Sequence, residues 1–199
     1  MIDAEKLTIS KGLSDSFRLD AARLYDEAFG KKFSVAVKNS EQRISLLEAC
    51  FKLDYAFVAI YDNKLVGIAG YHTIDGSLTG GLTYKTLISK LGIVKGNWAA
   101  LIFSLYERKS KENELLMDGI AVSQDYRGLG IGSQLIDSIN DYAKSNGYQT
   151  IRLDVISTNP AAKKLYERKG FITQHTEKFP YLEWLLGFSS ATTMVMNVK

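Results

Sequence analysis

The chain has 199 residues, enough for one domain of ordinary size. Hydrophobic residues make up 46% and charged residues 24%, the balance of a folded globular protein, and two prolines exclude a proline-rich or collagen-like chain. Twenty-five basic against 22 acidic residues leave a net charge of +3, too mild for a nucleic-acid binder.

In chain order, Leu7 and Ile9 suit a short strand. Phe17, Ala21, Leu24, Tyr25 and Ala28 fall on one helical face, with Gly30 as its stop. Ser40 is placed to cap a second helix carrying Ile44, Leu47 and Phe51. The β-rich runs 55–61 and 65–73, separated by Asp62, Asn63 and Lys64, predict an antiparallel hairpin. The first of these is also the longest unbroken apolar run. A membrane span needs about 18 such residues, so no membrane partner is expected.

The pattern changes over 75–113. Gly76, Gly80 and Gly81 mark loops, a short helix fits 84–91 before Gly92, and Asn97 is placed to cap another helix with Trp98, Leu101, Ile102 and Leu105 on one side. This stretch reads as an insertion within a single domain over 1–199, too short to bury a core of its own.

The second half is sharper. Residues 115–122 are strand-like, interrupted only by Asp118 and Gly119. A glycine-rich turn leads into a helix with Leu135, Ile136, Ile139, Tyr142 and Ala143 on one face, ended by Asn146 and Gly147. Ile151, Leu153 and Val155 alternate with polar residues as in a strand. Asn159 before Pro160 marks the start of another helix, closed by Gly170. A strand from Phe171, an aromatic loop over 179–188 and a last strand over 192–198 follow. The class is α+β.

One cysteine, Cys50, excludes an internal disulfide and suggests a reducing, cytoplasmic compartment. With only His72 and His175 beside it, no metal site is expected. The first ten residues carry Asp3 and Glu5 without an apolar core and do not read as a secretory signal.

Residues 122–133 read Val-Ser-Gln-Asp-Tyr-Arg-Gly-Leu-Gly-Ile-Gly-Ser. Three glycines at alternate positions between a strand and a helix free backbone N–H groups to converge on one point, and the helix start adds positive potential. With Arg127 beside them, this predicts a phosphate or pyrophosphate cradle rather than a plain tight turn. A Walker loop would need a lysine that is absent. The dinucleotide fingerprint fails at Ser133, although Asp154 lies about twenty residues downstream, where a ribose-binding acid would fall.

Here the sequence resembles the GNAT superfamily of acyl-CoA-dependent N-acyltransferases. The superfamily's pyrophosphate loop, Q/R-x-x-G-x-G/A, is met by Arg127, Gly130 and Gly132. Its second region, a strand, an Asn and a helix ending in Leu-Tyr-x-x-x-Gly-Phe, is met through Asn159, Leu165, Tyr166, Gly170 and Phe171. The likeness spans roughly 113–174. It implies a mostly antiparallel central sheet with helices on both faces and two splayed strands, 115–122 and 150–156, holding the pantetheine arm of acetyl-CoA between them. Ile120, Ala121 and Val122 would line that arm, and the amides of Gly128, Leu129, Gly130, Ile131, Gly132 and Ser133 would take the pyrophosphate. Asn159 would contact the arm, cap its helix, or do both.

The resemblance places Tyr166 near the cofactor sulfur, where a phenol can protonate the departing thiolate; the other reading is a core tyrosine. Asp118, in an otherwise apolar strand, is the acidic candidate for taking the proton of the attacking amine. Otherwise it is a structural or substrate-recognising carboxylate. His72 reads as a strand-end residue and Cys50 as core. The implied activity is acetyl transfer from acetyl-CoA to a primary amine, of a small molecule or a peptide, by direct attack in a ternary complex. The alternative is a CoA-binding module without turnover. The acceptor walls are expected from 75–113 and 176–191, with Tyr84, Trp98, Phe179, Tyr181 and Trp184 as aromatic candidates, and the C-terminal aromatic loop is a candidate homodimer contact.

Overall fold

A computed structural model describes residues 3–105, 108 and 110–198. Eight strands make one sheet: β1 (Leu7–Lys11), β2 (Ala56–Tyr61), β3 (Lys64–Thr73), β4 (Gly76–Ser77), β5 (Glu114–Val122), β6 (Thr150–Ile156), β7 (Ile172–Lys178) and β8 (Ser190–Asn197). Their order is β1-β2-β3-β5-β6-β8-β7, with β4 beside β3. All pairings are antiparallel except that of β5 with β6. The helices are α1 (Arg18–Phe33), α2 (Ser40–Cys50), α3 (Tyr84–Leu91), α4 (Ile93–Ser104), α5 (Ile131–Ser145), α6 (Pro160–Arg168) and the single turn α7 (Glu183–Leu186).

The expected α+β class and mostly antiparallel sheet with helices on both faces are the observed ones. β2 is apolar throughout because both of its faces are covered. Phe57 and Ala59 join Leu135, Ile136 and Ile139 of α5, while Ala56 and Val58 join Ala21, Leu24 and Tyr25 of α1. The β2–β3 hairpin closes through Asp62 and Asn63, both left-handed at φ 47° and 60°. Two such residues form the loop whose twist matches the strands it joins.

Three helix boundaries differ from expectation. Gly30 does not end α1; the helix continues to Phe33. A Cβ at Gly30 would stand 2.8 Å from Asp26 Oδ1 and 3.2 Å from Arg43 Nη2, so this glycine makes room for a buried ion pair. Ser40 is not the cap of α2: Asn39 accepts from Gln42 N–H at 2.8 Å, and Ser40 Oγ donates to Asp26 instead. Asn97 lies inside α4, where its side-chain amide donates to the Ile93 carbonyl.

The 75–113 stretch folds mainly as the α3–α4 hairpin, and its buried residues Leu87, Ala99 and Ile102 share a cluster with Val37 and Leu46. Of the apolar side expected for α4, only Ile102 packs inward. Trp98, Leu101 and Leu105 are exposed, and the face that packs carries Gly96, Ala99 and Ile102. A Cβ at Gly96 would approach Ile88 Cδ1 to 2.8 Å. The two helices meet closely through small residues, and that proximity, rather than side-chain size, decides which face is buried.

Candidate active site

β5 and β6 hydrogen-bond as a parallel pair only from Glu114–Leu116 to Thr150–Arg152. Both strands continue past that point, to Val122 and Ile156, without pairing to each other. The sheet therefore opens into a cleft of about 1080 Å³. β6 alternates buried and half-buried residues along its whole length, because Ile151, Leu153 and Val155 enter the core beneath α5 while Asp154 turns away.

A β-bulge sets the cleft's acidic group. Gly70 pairs with Gly119 and Tyr71 with Met117, which leaves Asp118 as the extra residue of β5. Its carboxylate accepts from Thr79 Oγ1 at 3.0 Å and lines the cleft. Tyr166 projects from α6 into the same cleft, 6% exposed, against Phe171 at a ring separation of 5.8 Å. Burial pushes its phenol up to about 12, so it holds its proton at neutral pH. Burial, followed by the Asp118 charge, likewise raises Tyr25 well above its ordinary range.

Sequence reasoning missed several of the groups around this pair. Lys32 of α1 lines the cleft, and its pKa is lowered by burial, with Asp118 opposing the shift. Arg108 bridges to Asp154 at 3.3 Å, and Thr193 donates to the second oxygen of the same carboxylate. The Asp154 suggested as a ribose ligand is thus engaged by Arg108 and Thr193. Thr79 lies 39 residues from Asp118, so no local pattern could have found it.

Of the residues expected to hold a cofactor, Ile120 and Asn159 line the cleft. Ser123 N–H donates to the Val66 carbonyl at 2.9 Å, so by strand alternation Ala121 turns its backbone toward β3. Ile120 and Val122 then face the open gap, and Ala121 offers an added strand nothing. The Val122 carbonyl accepts from Arg127 Nε at 3.0 Å, and Arg127 also pairs with Glu27 at 3.3 Å. Asn159 Oδ1 accepts from Ala162 N–H at 3.1 Å, so its capping role is realised.

The glycine-rich turn is not among the residues lining the cleft; it sits at the start of α5. Gly128 and Gly130 are left-handed at φ 78° and 84°, and a Cβ on either would meet nothing within 4 Å. Gly130 caps α5 without a side-chain acceptor, so no capping side chain covers the amides of Ile131, Gly132 and Ser133. This is open space against unsatisfied donors, which fits an anionic group. His72 lines the cleft from β3. Cys50 is core, with burial pushing its thiol up to about 12. Among the described residues no group of three or more His, Cys, Asp or Glu side chains could hold a metal, and no helix is long and apolar enough to cross a membrane.

Residues 19–171 match the model of the acetyltransferase (GNAT) family, and the chain belongs to that family. It is 38% identical over 71 residues to the probable N-acetyltransferase camello of Xenopus tropicalis, a match covering 36% of this chain and 32% of the frog protein. It is 30% identical over 87 residues to the ribosomal protein bS18-alanine N-acetyltransferase of Salmonella typhimurium, covering 44% of this chain and 58% of that enzyme. These matches thus span only 32% and 58% of the relatives' own lengths. The fold resembles that of a GCN5-related N-acetyltransferase from Kribbella flavida, with a TM-score of 0.62 at 17% identity over 98% of this chain and 99% of that one.

Proposed function

We propose that the chain transfers the acetyl group of acetyl-CoA to a primary amine by direct attack in a ternary complex. The observation that carries this reading is the presence of Asp118 and Tyr166 in one cleft, at the point where β5 and β6 part. Acetyl-CoA would supply an activated thioester. The first-turn amides of α5 and the backbone of Gly128 to Gly130 would hold its pyrophosphate, and the gap-facing backbone of Ile120 and Val122 would hold its pantetheine arm, with Asn159 beside it. Asp118, steadied by Thr79, takes a proton from the incoming amine, directly or through water. Tyr166, protonated at neutral pH, gives a proton to the leaving sulfur.

The acceptor is a small-molecule or peptide amine, and its walls are the apolar groups that the 75–113 and 176–191 stretches bring to the cleft, among them Phe103, Phe179 and Phe188. A single buried cysteine is in keeping with a reducing, cytoplasmic compartment. The test is CoA release from acetyl-CoA across a broad amine panel, with calorimetry of CoA binding alongside. Turnover on any acceptor supports the enzyme. Tight CoA binding with none across the panel would return the non-catalytic module, and NAD(P) binding in place of CoA would overturn both.

A further inference from the structure

The outward face of α4 has no counterpart in the mechanism. Ile93 is 72% exposed, Val94 84%, Trp98 45% and Leu101 58%, and none of the four lines the cleft. At 100° per residue these four fall within less than half of the helix circumference, so they form one apolar stripe along about two turns. Isolated exposed apolar residues are ordinary, whereas a continuous stripe marks a surface that something covers. Tyr84, which also lines the edge of the cleft, donates its hydroxyl to Asn97 Oδ1, and the Trp98 indole N–H is tied to the Val35 carbonyl at 2.9 Å. The stripe is thus held in place rather than collapsed.

Charge selects the occupant. Between Gly76 and Leu105 the chain carries Lys85, Lys90 and Lys95 and no acidic residue. All three lysines are exposed on the same hairpin. A second copy docked face to face would set these lysines against their own kind with no carboxylate on the stripe to answer them. An anionic bilayer surface answers both features: apolar side chains enter the acyl boundary, lysines reach lipid phosphates, and Trp98 and Tyr84 have the amphipathic rings suited to the interface.

We propose that the α3–α4 hairpin docks the protein peripherally on anionic lipid surfaces, with α4 lying in the interfacial plane. The other wall of this hairpin, through Leu87, Ala100 and Phe103, lines the cleft, so docking would hold the cleft close to the bilayer. The expectation of no membrane partner rested on the lack of a span-length apolar run, which tests only for crossing a bilayer and not for lying on its surface.

The test is co-sedimentation with vesicles of phosphatidylcholine alone and of phosphatidylcholine with phosphatidylglycerol. The parent should partition onto the anionic vesicles, weakly onto the neutral ones, and be released by salt. In a Trp184→Phe background Trp98 is the remaining tryptophan, and its emission should shift to the blue on anionic vesicles. Val94→Asp with Leu101→Asp, both at exposed positions, should leave thermal unfolding and CoA affinity unchanged while weakening vesicle binding by roughly tenfold or more. Each of Lys85, Lys90 and Lys95 changed to Gln should weaken it about fivefold. Parent protein that stays in the supernatant with unshifted Trp98 emission would overturn the proposal. A dimer that Val94→Asp takes apart, in a chain indifferent to vesicles, would assign the stripe to a second copy and overturn it equally. Because CoA affinity is measured beside vesicle binding, a failed docking surface is distinguishable from a failed acetyltransferase assignment.

Discussion

Asp26 and Arg43 form a bidentate pair at 2.6 and 3.1 Å in a position where both side chains are nearly buried. Ser40 donates to the same carboxylate, and Arg43 also donates to the Val37 and Lys38 carbonyls, so the pair cannot give way. Gly30 stands against it. Helix propensity favours Ala over Gly by about 1 kcal/mol, but a Cβ held 2.8 Å from a fixed oxygen outweighs that gain. Gly30→Ala should therefore lower stability, on the order of 1–3 kcal/mol by urea unfolding. In the cleft, Tyr166→Phe should reduce kcat roughly 10- to 1000-fold with little change in acetyl-CoA affinity, because only the proton donor is lost. Asp118→Asn should likewise lower kcat with acetyl-CoA affinity retained, and equal turnover of both variants and parent would place the chemistry elsewhere. Alkali supplies a separate test. Burial raises the Cys50 thiol and the Tyr166 phenol each to about 12, from 9.0 and 10.0. The unfolded chain gives up these protons first, so the stability they contribute is complete below about pH 9 and is lost between roughly pH 9 and 12. A urea midpoint that stays level across that window would contradict the burial of both groups.

At the scale of elements, the glycine turn and α5 act as one unit: left-handed residues end the approach and leave first-turn amides open. Gly130→Val puts a β-branched side chain at φ 84°, which strains the turn by about 1–2 kcal/mol but clashes with nothing. The expected outcome is loss of CoA binding by calorimetry with the fold retained by circular dichroism; unchanged affinity would remove the turn from the proposed cofactor site. Two other element-level devices prepare the cleft. The Asp118 bulge re-aims one side chain of β5, and the β5–β6 ladder stops after three residue pairs.

Across the whole molecule, the aromatic lining of the cleft draws on distant parts of the chain: Phe33 from α1, Phe103 from α4, and Phe179 and Phe188 flanking α7. Phe33 and Phe103 meet edge to face at 5.8 Å, as do Phe179 and Phe188 at 5.7 Å. Tyr181 and Trp184, expected as acceptor walls, are instead 72% and 82% exposed and are not among the residues lining the cleft. Phe179→Ala should alter the acceptor KM while leaving acetyl-CoA affinity alone, and Trp184→Ala should alter neither. Steady-state kinetics on the first acceptor identified would decide, and the opposite pattern would return specificity to the exposed aromatics.

What the sequence determined by itself was local. The alternation of Ile151, Leu153 and Val155, the α5 face through Leu135 and Ile139, the Asn159–Pro160 helix start and the spaced glycines of the turn all follow from near-neighbour backbone and hydrophobic rules. The resemblance carried by those same residues located Asp118 and Tyr166. Tertiary structure decided the rest. Gly30 looks like a helix stop until Arg43 packs beside it, and Asn97 looks like a cap until α4 begins five residues earlier. The Thr79 support of Asp118, the pairing of Asp154 with Arg108 and the place of Lys32 in the cleft each join residues far apart in the chain, where no periodicity reaches. The outward turn of Trp98 and Leu101 is of the same kind. Hydrophobic spacing reveals that a helix has an apolar face, but only the close approach of α3 to Gly96 and Ala99 determines that the other face is buried.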